Sequence, residues 1–147
     1  MIYIARDHAG FELKTQIVEY LKIQGLEFTD CGPFEFKKAD DYPDWIFPCA
    51  MKVAKDKTAK GIILGSSGQG EAIVANKVKG IRAVVFYGGD MEIIKRSRTH
   101  NNSQILSLGA RYLTTEVAKE AVDLWLNTNF EGGRHERRIN KISELEQ

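Results

Sequence analysis

Gly61-Ile-Ile-Leu-Gly65-Ser-Ser-Gly-Gln-Gly-Glu71 carries an apolar run straight into a polar turn marked by three glycines and closed by a carboxylate. Four successive apolar residues bounded by a turn suit a strand covered on both faces, as in a parallel sheet. The glycines let the backbone turn sharply and approach a ligand closely. A helix is expected to begin near Gly68–Gly70, and its free amides make an anion site. Neither common nucleotide signature is present: no Gly-Lys-Ser/Thr ends the loop, and GxGxxG spacing is absent. The turn by itself names no ligand, and a plain strand-to-helix connection would need similar residues.

Working outward, the same alternation recurs. Ile2–Ala5, Leu26–Asp30, Ile81–Phe86 and Gln104–Leu108 join Gly61–Leu64 as five short strands. Phe11, Leu13, Ile17, Tyr20 and Leu21 form a helical stripe that Gly25 is placed to end. Ala50, Val53 and Ala54 mark a second helix. Met91, Ile93 and Ile94 follow an Asp90 cap, and Val117, Ala118, Ala121, Val122, Leu124 and Trp125 mark another helix. A last helix from about Arg134 carries Ile139, Ile142 and Leu145. Strand–helix alternation predicts an α/β fold, a three-layer αβα sandwich around a five-stranded parallel sheet. The expected strand order is 2-1-3-4-5, and ligands should bind beyond the carboxyl ends of the first and third strands.

The bulk numbers set limits. At 147 residues the chain suits a single domain, residues 1–147. A formal net charge of +1 argues against a broad nucleic-acid or membrane surface. Met1–Ala5 is too short an apolar stretch for a signal peptide or span, so a reduced, cytoplasmic protein is expected. Cys31 and Cys49 sit in unrelated contexts without metal-ligand spacing, and the core needs no bridge between them. Trp45, Trp125 and Tyr20 are expected in the core or against another subunit.

Four groups of residues can carry chemistry, each with a plainer reading beside it. Glu71, just inside a helix, is either a dipole-satisfying carboxylate or a general base; burial would raise its pKa and the dipole would lower it. Asp7 and His8, at the tip of the first strand, are a cap with its neighbour or a contact to sugar or phosphate. Arg98-Thr99-His100-Asn101-Asn102 closes the fourth helix, where a cation is favourable anyway, yet histidine is also the proton shuttle near neutrality. Arg134 and Arg138 share a face of the last helix, and their charge opposes its dipole unless an anion relieves it. Arg111 can join that anion site.

Taken together, Asp7-His-Ala-Gly-Phe-Glu-Leu-Lys14, Asp41-Tyr-Pro-Asp44, Ala75-Asn-Lys-Val-Lys-Gly-Ile-Arg-Ala83, His100-Asn-Asn102 and Phe130-Glu-Gly-Gly-Arg-His-Glu-Arg-Arg138 resemble the ribose-5-phosphate isomerase B / galactose-6-phosphate isomerase family, in order and over almost the whole chain. The resemblance implies a Rossmann-like sandwich, a homodimer or dimer of dimers whose last helix (about 134–146) packs on the partner, and no cofactor or metal. It implies an aldose–ketose isomerase of ribose 5-phosphate and ribulose 5-phosphate. Isomerisation of allose or galactose 6-phosphate, or a non-catalytic sugar-phosphate-binding subunit, is the alternative.

Many members of that family carry a cysteine base where this chain has Gly65; a second branch uses a glutamate, which Glu71 matches. By resemblance Glu71 moves the proton, His100 opens the ring, and Asp7 assists. Ser67, Tyr42 and Asn101 meet sugar hydroxyls, with Gly68 and Gly70 in the loop. His8, Arg111, Arg134, His135 and Arg138 grip the phosphate, some from the partner. Pro48 also departs from the family pattern and is expected to delay or bend the second helix.

Overall fold

The computed structural model describes residues 1–35, 39 and 41–146. In chain order the elements are β1 (Ile2–Arg6), α1 (Phe11–Ile23), β2 (Phe28–Asp30), α2 (Pro43–Lys55), β3 (Lys60–Gly65), α3 (Gln69–Ala75), β4 (Ala83–Phe86), α4 (Glu92–Thr99), β5 (Ile105–Gly109), α5 (Thr115–Leu126) and α6 (Arg134–Glu144). All strand pairs are parallel. Ile4 pairs with Ile62 across β1 and β3, and Ile62 with Leu106 across β3 and β5.

Alternation along β3 divides the core. Ile62 and Leu64 pack on one face with Leu13, Ile17 and Leu21 of α1 and Ala121, Val122 and Trp125 of α5. Ile63 packs on the other with Ile46, Cys49, Ala50 and Val53 of α2 and Ala75 of α3. A strand with both faces covered is apolar at every position, which is why 61–64 reads as an unbroken run. Trp125 is fully buried, and its indole donates to Ser103 Oγ at 2.9 Å.

The strand order is β2-β1-β3-β5-β4, which corrects the expected 2-1-3-4-5. The reason is burial. β5 is buried at all five positions, whereas three of the four residues of β4 are only half-buried. β5, flanked on both sides, takes the interior place despite Ser107, and the wholly apolar β4 takes the edge. The β1–β3 adjacency, on which the crevice depends, is unaffected.

Two smaller expectations also change. α2 begins at Pro43 and runs through Pro48, so Pro48 does not delay it. Proline suits the first helical position, and Pro48 faces outward, where water can serve the carbonyl it leaves unpaired. Cys31 and Cys49 are not in unrelated places: Cys31, just after β2, packs against the core cluster that holds Cys49 of α2, and neither is in a disulfide. Among the described residues no helix is long and apolar enough to cross a membrane.

Candidate active site

The carboxyl ends of β1, β3 and β5 deliver three turns to one place. Asp7 follows β1, and its backbone amide donates to Leu64 O at 2.9 Å, tying the turn to the end of β3. Asp7 Oδ1 accepts from the amides of Ala9 (2.8 Å) and Gly10 (3.1 Å), so the carboxylate caps a single 3-10 turn ahead of α1. Gly10 lies so close to β3 that a Cβ there would stand 2.8 Å from the Leu64 Cβ. The loop after β3 is held from beneath: Ser107 Oγ donates to Gly68 O at 2.6 Å, and the Arg111 amide donates to Ser66 O at 3.0 Å. Gly68 has φ +77°, a left-handed conformation that glycine adopts without strain. The hydroxyl of Tyr42, at the start of α2, lies over Gly70, 2.7 Å from where a Cβ would be.

Glu71 points back from the first turn of α3 into this cluster and is only 4% exposed. A Cβ on Gly65 would lie 2.0 Å from Glu71 Oε1, so the carboxylate fills the volume directly above the end of β3. Burial pushes its pKa up from 4.5 to about 7; its own amide opposes the rise, and the charge and hydrogen bond of Asp7 add to it. The open question of sign is thus settled by desolvation over the helix dipole. A carboxyl that titrates near neutrality, beside a second carboxylate fixed by two amides, is a suitable base at physiological pH.

A second group forms where α4 ends and α6 begins. His100 and His135 stack with ring centroids 4.1 Å apart and planes 13° from parallel. Glu131 Oε2 lies 3.5 Å from His135 Nε2, and the Glu131 amide donates to Thr99 O at 3.1 Å, fastening the loop before α6 to α4. Burial, followed by the charges of His100, Arg134 and Arg138, lowers the His135 pKa against the opposing pull of Glu131. His100, Glu131 and His135 offer donor atoms within 4.8 Å of one another, a spacing a metal ion could use. The two arginines beside His135, however, suit an anion better than a cation.

The chain as a whole is similar to known proteins. The ribose/galactose isomerase family profile matches residues 2–142. Ribose-5-phosphate isomerase B of Mycobacterium leprae is 40% identical over 146 residues, covering 99% of this chain and 89% of the relative. A crystal structure of ribose-5-phosphate isomerase B from Mycoplasma genitalium with bound ribulose-5-phosphate superposes with a TM-score of 0.94 at 41% identity, covering 99% and 95% of the two chains. The Clostridium thermocellum ribose-5-phosphate isomerase B structure gives 0.93 at 40%, covering 99% and 96%. The chain belongs to the ribose/galactose isomerase family.

For a ribose/galactose isomerase family member, the residues singled out from sequence divide cleanly. Asp7, Ser67, Gly68, Gly70 and Glu71 gather at the β1–β3 crevice with Tyr42 and the main chain of Arg111, and half-buried His8 directly follows Asp7. His100 and His135 gather in the second group, with Asn101 next to His100 and the exposed Arg134 and Arg138 on α6.

Three supporting residues escaped the sequence reading. Arg6, 1% exposed, donates to Asp7 O at 3.0 Å and Glu35 O at 3.0 Å. Ser107 carries the glycine loop. Arg82 donates to Asn101 O (2.8 Å) and Asn102 O (3.1 Å), fixing the corner after His100. Only Ser107 left a signal, a lone hydroxyl within an otherwise apolar strand. Arg98, by contrast, is structural: it is buried, donates to Thr128 O, Asn102 Oδ1 and Ser103 O, and lies over the Trp125 ring.

Proposed function

We propose that this chain interconverts ribose 5-phosphate and ribulose 5-phosphate. The observation that carries the reading is Glu71: a buried carboxyl, poised near neutrality, at the mouth of an amide-rich glycine loop. Glu71 removes the C2 proton of the open-chain aldose, the electron pair forms the enediolate, and the same carboxyl returns the proton to C1. One carboxylate can serve both carbons because they are adjacent. Amides of Ser67–Glu71 face the developing oxyanion, each such preorganised donor contributing about 3–4 kcal/mol.

His100 opens the furanose ring, with Asp7 assisting. Ser67, Tyr42 and Asn101 meet the sugar hydroxyls, and His8, Arg111, Arg134, His135 and Arg138 hold the phosphate. The reading calls on side chains and amides alone and suits a cytoplasmic metabolic enzyme.

The second group serves the first group of a partner subunit. In support, α6 is amphipathic with Ile142 49% exposed, Leu145 just beyond its end is 85% exposed, and Ile73 on α3 is 61% exposed, apolar surface suited to a second copy of the chain. The test is a coupled assay in EDTA over a panel of pentose and hexose phosphates. Turnover of ribose 5-phosphate above any six-carbon phosphate is the expected result. A preference for allose or galactose 6-phosphate would move the assignment within the family, and binding without exchange of the C2 proton in heavy water would replace catalysis with sensing.

A further inference from the structure

The isomerase reaction uses neither cysteine, yet the fold places the two side by side. Cys31 follows the carboxyl end of β2 and is partly exposed; Cys49 lies on the inner face of α2 and is fully buried. Cys31 packs against the core cluster that contains Cys49, and the two thiols lie close enough to shift each other's titration. Lys52, one turn beyond Cys49 on α2, brings its ammonium to 4.0 Å from Cys31 Sγ, and Thr29 O lies 3.9 Å away on the other side.

The two sulfurs are therefore unlike. The neighbouring Cys49 thiol and the Lys52 and Lys14 charges outweigh desolvation and Asp30 and bring the Cys31 pKa down to about 7. Cys49 moves the other way, its thiolate disfavoured by the neighbouring Cys31 and by burial. An accessible thiolate beside a protected thiol is the arrangement in which one sulfur reacts and the other resolves.

We propose that Cys31 and Cys49 form a peroxide-responsive thiol pair in which Cys31 is the attacking and Cys49 the resolving sulfur. The Cys31 thiolate attacks one oxygen of a hydroperoxide; the O–O bond breaks, and the leaving oxygen takes a proton and departs as water or alcohol. Sulfur loses two electrons, the peroxide gains them, and Cys31 becomes a sulfenic acid. The Cys49 sulfur then attacks Cys31 Sγ, the S–O bond breaks, and hydroxide leaves with the Cys49 proton as water. The product is one intramolecular disulfide. It ties the end of β2 to α2, the helix that carries Tyr42 at its start.

The test uses the full reduced chain, treated with hydrogen peroxide and followed by intact mass and peptide mapping. The expected result is a loss of two hydrogens and a linked Cys31–Cys49 peptide within one chain. With iodoacetamide at pH 7, Cys31 should alkylate at least tenfold faster than Cys49, and Lys52→Ala should slow it several-fold. Cys49→Ala should stop at a Cys31 sulfenic acid trapped by dimedone. Faster alkylation of Cys49, disulfides only between chains, or both thiols remaining reduced in excess peroxide would each overturn the proposal. The wild-type measurements decide it even if Cys49→Ala does not fold.

Discussion

Glu71 occupies the space that a side chain at Gly65 would need: a Cβ at 65 would stand 2.0 Å from Oε1, 2.1 Å from Cδ and 2.5 Å from Oε2. The absence of a side chain at the end of β3 and the presence of a carboxylate six residues on are thus one structural fact. Any side chain at 65 and a glutamate at 71 compete for one volume, so in this chain the glycine and the glutamate go together.

Gly65→Ala tests this relationship directly. Because the methyl group cannot share space with the carboxyl, Glu71 must rotate away from the crevice. The expected outcome is at least a tenfold loss of kcat, since displacing a catalytic group by about 1 Å costs on the order of 100-fold. Steady-state kinetics of a variant shown by circular dichroism to be folded provide the check; wild-type kcat would contradict the geometry.

Glu71→Gln keeps the shape and removes the base. We expect kcat to fall by about a thousandfold or more with KM within a few-fold, the pattern of a group that acts in the transition state. In the wild-type protein, kcat/KM should rise with pH and level off above about 7, where the buried carboxyl has lost its proton. A flat profile between pH 5.5 and 8 would remove Glu71 from that role.

The same residue should mark the stability curve. The folded carboxyl holds its proton up to about pH 7, against 4.5 ordinarily, so between these values the folded state binds more protons than the unfolded one. Stability contributed by the neutral form is complete below pH 4.5 and is lost as pH rises towards 7, a difference of about 3 kcal/mol for a shift of this size. Glu71→Gln carries no such dependence. Relative to wild type, its Tm should therefore gain about 5–10 °C on going from pH 5 to pH 8. Equal gaps at the two pH values would show that burial does not hold the carboxyl neutral.

How much of this was legible follows from the range of each interaction. Strands and helices were written in local periodicity, and the glycine loop announced itself because its constraints lie within seven residues. Strand order was not, because β4 and β5 are both apolar and only packing against α4 and α5 decides which is covered. The Glu71 pKa needed the burial of Asp7 and Glu71 together, a relation across 64 residues that no spacing reveals. Arg6 and Arg82 act through carbonyls, which any sequence offers everywhere. His100 and His135 could be named as candidates, but their stacking and anchoring through Glu131 join α4 to α6 and are invisible to a linear reading.

The proposed sharing of the site between two subunits makes a prediction that a self-contained site cannot. Glu71→Gln disables the first group, and Arg134→Ala disables the second. Each homodimer then has two defective sites. In a mixed dimer, one site combines both defects, and the other draws the intact Glu71 from one chain and the intact Arg134 from its partner. Random reassociation of equal amounts gives half mixed dimers with one sound site in two, hence about a quarter of wild-type activity from two nearly inactive parents. The two variants are unfolded together, refolded and assayed against each refolded alone. If both groups served a single chain, every site would keep one defect and mixing would restore nothing. The recovered fraction therefore reads out which subunit supplies the phosphate-binding arginine to the base.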